Sequence, residues 1–395
     1  MGTAGTIVIV GGGVVGSSIA YHLRVDGYTG RVVVVERDPT YARASSFLAM
    51  GGIRQQFSSA VNIQLAQYGA RFYADFDRAL SVPGHQPRAN FRRRGYLFLV
   101  DEAASDRFEA RVERQRSLGA RVERVTLDQL RTRFPGVRLD DIVFGVFGPD
   151  DGYGEPRGVL AGFRAAAVAA GAEYVTADVV DLTRRAGRIA GVVLGDGETL
   201  SGEAVVNAAG PFAARLGAMA GLDLPVQPVR QQLFRCALPS RWPYRFPVLV
   251  DPTGVHWRHD DPVDARDPDR LIVARTRLDE PPGENFVCDL SRWESEFRPA
   301  VEARVPGVTP LELVEGWAGL YAMTPDHNPV LGEHPAAPGF FLANGFSGHG
   351  LMIAPAVGKV LSELIRTGEA RTVDVRCFDA GRFDRGELVH DEAMI

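Results

Sequence analysis

Residues 6–36 constrain this chain more than any other stretch. Thr6–Val10 is a short apolar, β-branched run that leads directly into Gly11-Gly12-Gly13-Val14-Val15-Gly16. An Ala- and Leu-bearing segment to about Leu23 and a second β-branched run, Arg31–Glu36, follow. Strand, glycine turn, helix and strand in that order make a βαβ unit, and therefore a parallel sheet. Gly11 allows the tight turn, Gly13 lets the backbone approach a pyrophosphate, and Gly16 lets helix and strand pack closely. The helix that opens at Val14 and Val15 offers unpaired N–H groups to phosphate charge. Glu36 stands twenty residues after Gly16, at the end of the second strand and just before Arg37. A carboxylate there accepts hydrogen bonds from ribose hydroxyls and repels a 2′-phosphate. The expectation is a Rossmann-type dinucleotide-binding domain.

A second strand end supports it. Val205-Val206-Asn207 runs into Ala208-Ala209-Gly210, where small residues let backbone lie against a cofactor. Paired with the first motif, it favours FAD over a nicotinamide. Further strands and helices read as a long helix from Ala60 to Leu80, a helix Val159–Ala170 closed by Gly171, and a strand Glu173–Val180. A hairpin Val192–Leu200 and the strand Ala204–Ala208 were expected to complete the first sheet. Pro225 to Glu315 reads as a separate antiparallel sheet. With 395 residues, two domains are the natural division. We expect an α/β plus α+β fold, with an FAD-binding domain over 1–84, 150–222 and 318–395. A discontinuous substrate domain, on a large mixed or antiparallel sheet, takes 85–149 and 223–317.

Composition narrows the classes. The net charge of −5 carries no basic excess of the kind that marks a nucleic-acid partner. The apolar runs are strand-sized, well short of the roughly 20 residues that span a bilayer. Cys236, Cys288 and Cys377 form no CxxC pair, so no metal is expected, and reduced thiols fit a cytoplasmic setting.

Several segments, in order, carry a resemblance to the D-amino-acid-oxidase superfamily, in its sarcosine-oxidase, glycine-oxidase and proline-dehydrogenase branch. They are Gly11–Gly16 with Glu36-Arg37, Ala44-Ser45-Ser46, and Gly51-Gly52-Ile53-Arg54-Gln55-Gln56-Phe57-Ser58. Asn207–Pro211, Gly316-Trp317-Ala318-Gly319-Leu320-Tyr321 and Asn344-Gly345-Phe346-Ser347-Gly348-His349-Gly350 complete the set. The resemblance implies FAD as cofactor and hydride removal from a carbon next to nitrogen. It places Ser45, Ser46, Gly51, Gly52, Val179, Gly345, Gly348, His349, Gly350 and Leu351 with the cofactor. The helix from Leu351 would aim its positive end at the flavin pyrimidine edge.

Departures from the family's pattern matter as much. Relatives with covalent flavin use a Cys where Gly319 stands, or a His near the Ser45-Ser46 pair, and no His lies between His22 and His85. Noncovalent FAD is therefore expected. Tyr321 takes the place of the amino-acid-oxidase arginine, and Met352 that of a sarcosine-oxidase lysine. Arg54 is retained, either as an anion-holding residue or as a bridge between domains. Val255-His256-Trp257-Arg258 reads as a strand that puts His256 and Arg258 on one face, which either looks at the flavin or is a polar sheet surface. Tyr321 is a hydrogen-bond donor or an aromatic wall, and His349 a flavin-loop residue more than a base. Arg275 and Arg277 are clamps or surface charges. The expected substrate is a small amine or amino acid bearing a carboxylate, of the N-substituted-glycine type. Oxygen is favoured over another electron acceptor. The rival readings are a D-amino-acid or proline dehydrogenase with a quinone or partner acceptor, and a non-catalytic FAD scaffold.

Overall fold

A computed structural model describes residues 5–261 and 268–391. The ends of the outer expected domain pieces, 1–4 and 392–395, lie outside it. The opening strand Thr6–Val10 is central in a six-stranded sheet. In order, the strands are Val330–Glu333, Phe340–Asn344, Ala204–Asn207, Thr6–Val10, Arg31–Glu36 and Glu173–Thr176. All pairings are parallel except the outermost, Val330–Glu333 against Phe340–Asn344. The continuous Val run 32–35 is buried because both sheet faces are covered. Helices Val14–Val25 and Gly350–Thr367 pack on each other, joined by Ser18 Oγ donating to the Ala354 carbonyl at 2.8 Å.

The second sheet has eight strands. It runs Glu312–Met323, Gln227–Ala237, Arg270–Ala274, His256–Asp260, Val248–Val250, Tyr96–Val100, Phe144–Gly148, Glu123–Val125. It is mixed, with one parallel pairing between Val248–Val250 and Tyr96–Val100. Its outer face buries Trp257, Phe234, Trp293 and Phe297 in a core of its own. The mixed α/β architecture with a parallel sheet and a large mixed sheet is as expected.

Three expectations need correction. The strands between residues 179 and 201 do not join the first sheet. Val179–Arg185, Arg188–Leu194 and Thr199–Ser201 form a separate antiparallel sheet, and only Glu173–Thr176 and Ala204–Asn207 extend the parallel one. Continuous β-branched patterning marks strands but not which sheet they enter. The helix from Ala60 stops at Ala74, and Phe76–Ala79 is a separate short turn of helix. Between them Asp75 leaves helical geometry (φ −121°). The second sheet also recruits Tyr96–Val100 and Phe144–Gly148, so the segment 225–315 does not stand alone. The Glu312–Met323 strand runs unbroken through position 318.

Candidate active site

A cleft of about 410 Å³, part of it open to solvent, lies between the 45–50 segment and the inner face of the eight-stranded sheet. Three bonds hold that segment. Ser45 Oγ donates to the Leu320 carbonyl at 2.5 Å, Trp317 Nε1 to Leu48 O at 2.9 Å, and Arg258 Nε to Met50 O at 2.8 Å. The sheet contributes Gly319, Leu320 and Tyr321 from one strand and Leu233, His256, Ala274, Arg275 and Thr276 from the strands beside it and their continuation. Strand register explains the arrangement. His256 lies opposite Ala274 and Arg258 opposite Ile272, so these share a face, while Trp257 points into the outer core.

At the first motif, Gly11 has φ +104°, and a Cβ there would overlap the Ala208 carbonyl. A Cβ on Gly16 would overlap the Gly11 carbonyl oxygen. Gly13 is different: its Cβ would meet only Ser46 Oγ, at 3.6 Å. Protein packing does not require glycine at that position, which suits a ligand approaching the backbone. The helix Val14–Val25 has neither a side-chain cap from Gly13 nor an acidic residue in its first turn, so its positive end is uncompensated there. Val14 N donates to Ser46 Oγ at 3.3 Å, and Val15 is buried. Glu36 accepts from Gly12 N at 2.8 Å and Asp38 N at 2.9 Å, and exposed Arg37 stacks over Phe212. Ala208 N bonds to Val10 O at 2.9 Å, and Ala209 follows at the Gly210 turn (φ +56°). These groups fit a dinucleotide.

The second glycine loop joins this cradle to the cleft. Asn344 Nδ2 donates to Asn207 O at 2.9 Å, tying the two strand ends together. Gly345 and Gly348 have φ of +68° and +94°, and a Cβ on Gly348 would strike the Tyr321 ring. Gly350 and Leu351 open the following helix, where Leu351 O accepts from Tyr73 Oη at 2.6 Å. Gly51 (φ +90°) and Gly52 lie against Gly154 O and Tyr96 Oη. Val179 begins the separate three-stranded sheet and packs on the core beside the opening strand. Met352 is core-buried on the Gly350–Thr367 helix and does not line the cleft.

Electrostatically, Arg54 is the hub. It is buried, its Nη1 donates to Gln56 O at 2.5 Å, and it lies over the Phe57 ring at 4.3 Å. Its charge acts on His256, Tyr321 and His349 alike. Burial lowers His256 to about 4, and His349 is held well below the ordinary range by burial and then by Arg54. His256 Nδ1 lies 3.1 Å from Gly254 O; as a donor there, the neutral ring keeps Nε2 as an acceptor. Burial raises the Tyr321 hydroxyl, which bonds to Thr276.

Arg258 is spent differently. Its Nε and Nη1 hold Met50 O and His259 O, and it does not line the cleft. Arg275 does line it. Gln231, Gln232 and Thr276 also line it, and no motif in the sequence marked them. Asp151 is a further missed residue. It accepts from Gln55 N (3.0 Å), Gln55 Nε2 (3.1 Å) and Gln56 Nε2 (3.0 Å), and so fixes the loop beneath Arg54. Its only sequence signal is the turn Asp150-Asp151-Gly152. Among the described residues, no group of His, Cys, Asp or Glu could hold a metal, and no helix is long and apolar enough to cross a membrane.

The DAO family, FAD dependent oxidoreductase, matches residues 6–364. The chain belongs to the DAO family. The bovine FAD-dependent oxidoreductase domain-containing protein 1 is 32% identical, over 98% of this chain and 87% of that protein. Glycine oxidase of Geobacillus kaustophilus is 28% identical, over 92% and 93%. Among solved structures, L-proline dehydrogenase from P. horikoshii aligns with a TM-score of 0.87 at 27% identity, covering 98% of this chain and all of that one. This chain is thus an FAD-dependent oxidoreductase of that family.

Proposed function

We propose that this chain oxidises the carbon–nitrogen bond of a small, carboxylate-bearing secondary amine of the N-substituted-glycine type, using noncovalently held FAD. FAD, when bound, accepts the hydride. The observation that carries the reading is His256. Its neutral ring faces the cleft and, with Nδ1 engaged by Gly254 O, offers Nε2 to an amine N–H. With a pKa near 4 it positions the neutral amine and does not store its proton. Tyr321, anchored by Thr276 and packed on Gly348, lines the cleft from the same sheet. Arg54 sets the positive potential, and the 45–50 segment covers part of the sheet face that lines the cleft. Loss of the hydride leaves an iminium that keeps the N–H proton, and water hydrolyses it after release. Gly319, which stands where covalent relatives carry Cys, supports noncovalent attachment. Cys236, Cys288 and Cys377 are free thiols, which supports a cytoplasmic setting.

One observation favours a second reading, a dehydrogenase with a quinone or protein acceptor. Lys359, the chain's only lysine, pairs with Asp26 at 2.8 Å on the Gly350–Thr367 helix and is not among the cleft-lining residues. It therefore provides none of the lysine charge that assists oxygen in related oxidases. Anaerobic mixing of the FAD-loaded protein with N-alkylglycines, proline and D-amino acids tests both readings. Bleaching by N-alkylglycines is expected. Bleaching by proline or D-amino acids alone would replace the substrate assignment, and no bleaching with any amine would leave a flavin scaffold. Reoxidation by air or only by a quinone dye separates oxidase from dehydrogenase.

A further inference from the structure

We propose that Arg275 is the residue that recognises the substrate's anionic group, and that Glu296 occupies it until a substrate carboxylate takes over. The inference rests on the amine-oxidising reading and names the charge its substrate carries. Among the described residues lining the cleft, Arg275 is the only one with a fixed charge; His256 is neutral, and the others are polar or apolar. A carboxylate drawn from water into such a cleft needs a charged, hydrogen-bonding partner at its wall. Arg54 and Arg258 are committed to the carbonyls of Gln56, Met50 and His259, and neither lines the cleft.

Arg275 is placed for the role. It follows the last residue of the Arg270–Ala274 strand, and Ala274 lies directly opposite His256. Its stem runs past Gly254, where a Cβ would come 3.8 Å from Cγ and 3.6 Å from Nε. Gly254 also supplies the carbonyl that engages His256 Nδ1, so anion and amine contacts hang on one turn. The side chain is 38% exposed, so a dissolved anion can approach it.

The guanidinium is held at present by a protein carboxylate. Arg275 Nη1 lies 2.5 Å from Glu296 Oε1, while Arg277 Nη1 lies 2.9 Å from Glu296 Oε2. Arg277 is anchored on its other side by Asp279, at 2.5 Å. When Arg275 turns to an incoming carboxylate, Glu296 therefore keeps Arg277 and is not left unpaired. The exchange swaps one carboxylate for another on the same fork. The geometry selects amines whose carboxylate sits at the cleft mouth, beside the His256 end.

Calorimetric titration of the FAD-loaded protein with acetate, N-methylglycine and N-ethylamine-type neutral amines tests this, with KM and kcat measured on whichever amines bleach the flavin. Arg275→Met should raise Kd and KM for the carboxylate-bearing compounds by about 10–100-fold, leaving kcat within about 3-fold and neutral amines unchanged. Arg275→Lys should recover part of the loss. Glu296→Gln should tighten carboxylate binding, because the internal competitor is gone. Unchanged carboxylate affinity in a folded, FAD-retaining Arg275→Met protein overturns the assignment, as does weaker binding in Glu296→Gln. If no amine bleaches the wild-type flavin, the oxidation reading fails, and the carboxylate titration still judges Arg275.

Discussion

Gly16 and Glu36 carry the cofactor cradle at the scale of single residues. A Cβ on Gly16 would overlap the Gly11 carbonyl oxygen, so Gly16→Ala must open the turn between the first strand and helix. We expect loss of bound FAD and a lower melting temperature. Glu36→Ala removes the acceptor of the Gly12 and Asp38 N–H groups and, on our proposal that Glu36 binds the adenosine ribose, a cofactor contact. Its FAD affinity should fall by about 1.5–3 kcal/mol, read by flavin-fluorescence titration. The buried histidines set the acid limit of stability. Burial lowers His22, His256 and His259 from 6.5 to about 4. As pH falls from 6.5 to 4, the unfolded chain binds protons that the native chain does not, and stability is lost. Asp151 opposes this, because burial raises it to about 7. The native chain keeps a proton that the unfolded carboxyl releases above 3.8, so its destabilising effect grows as pH rises toward 7. These three, with His349 lowered further by burial and by Arg54, outweigh the one carboxyl and predict a melting temperature that falls below pH 6.5. His22→Asn should make that fall shallower in a pH series of thermal melts.

Among elements, the helix Ala60–Ala74 shows how a distant segment completes a local one. Ser59 caps it, accepting from Asn62 N at 3.3 Å. The Asp391 carboxylate adds bonds from Ser58 N at 3.1 Å, Ser59 N at 3.0 Å and Asn62 Nδ2 at 2.9 Å. A carboxylate at a helix N-terminus also meets the positive end of the dipole. This helix follows the loop that carries Arg54 and Phe57, so its start fixes the end of that loop. Asp391→Ala should cost about 1.5–3 kcal/mol in a urea melt, with a parallel loss of FAD retention. An unchanged midpoint would mean that Ser59 alone holds the helix. The sequence placed the start of this helix at Ala60; Asp391, more than three hundred residues away, left no local signal.

For the whole molecule, the C-terminal segment is clamped to the loop that ends the long strand Glu312–Met323. Arg382 Nε and Nη2 reach Asp326 at 2.8 and 2.9 Å, with both side chains 1% exposed. Removing one partner strands a buried charge, so Arg382→Met should cost about 3–5 kcal/mol. Chemical denaturation reads that cost, and a shift under 1 kcal/mol would contradict it. The attachment of the cofactor is also a property of the whole molecule. Acid precipitation of the FAD-loaded protein should release all the yellow colour to the supernatant. Colour in the pellet would mean a covalent bond that Gly319 gives no reason to expect.

Local sequence determined the parts whose physics is local. The strand, Gly11–Gly16, helix and Glu36 lie within about thirty residues, and their spacing alone specifies a βαβ unit and a carboxylate at its edge. The alternation His256-Trp257-Arg258 likewise settled which side chains share a face. Tertiary structure decided what those faces meet. Arg258 sits mid-strand and Arg275 just past a strand end, both beside the same cleft, yet one is consumed by the Met50 carbonyl and the other lines the cleft. The difference lies in partners about two hundred residues away for Arg258 and in Glu296 for Arg275. The separate Val179–Ser201 sheet and the eight-stranded sheet's recruitment of Tyr96–Val100 have the same origin. Strand patterning reports burial on a face, but which strand pairs with which is settled by long-range backbone bonding and packing that no local period encodes.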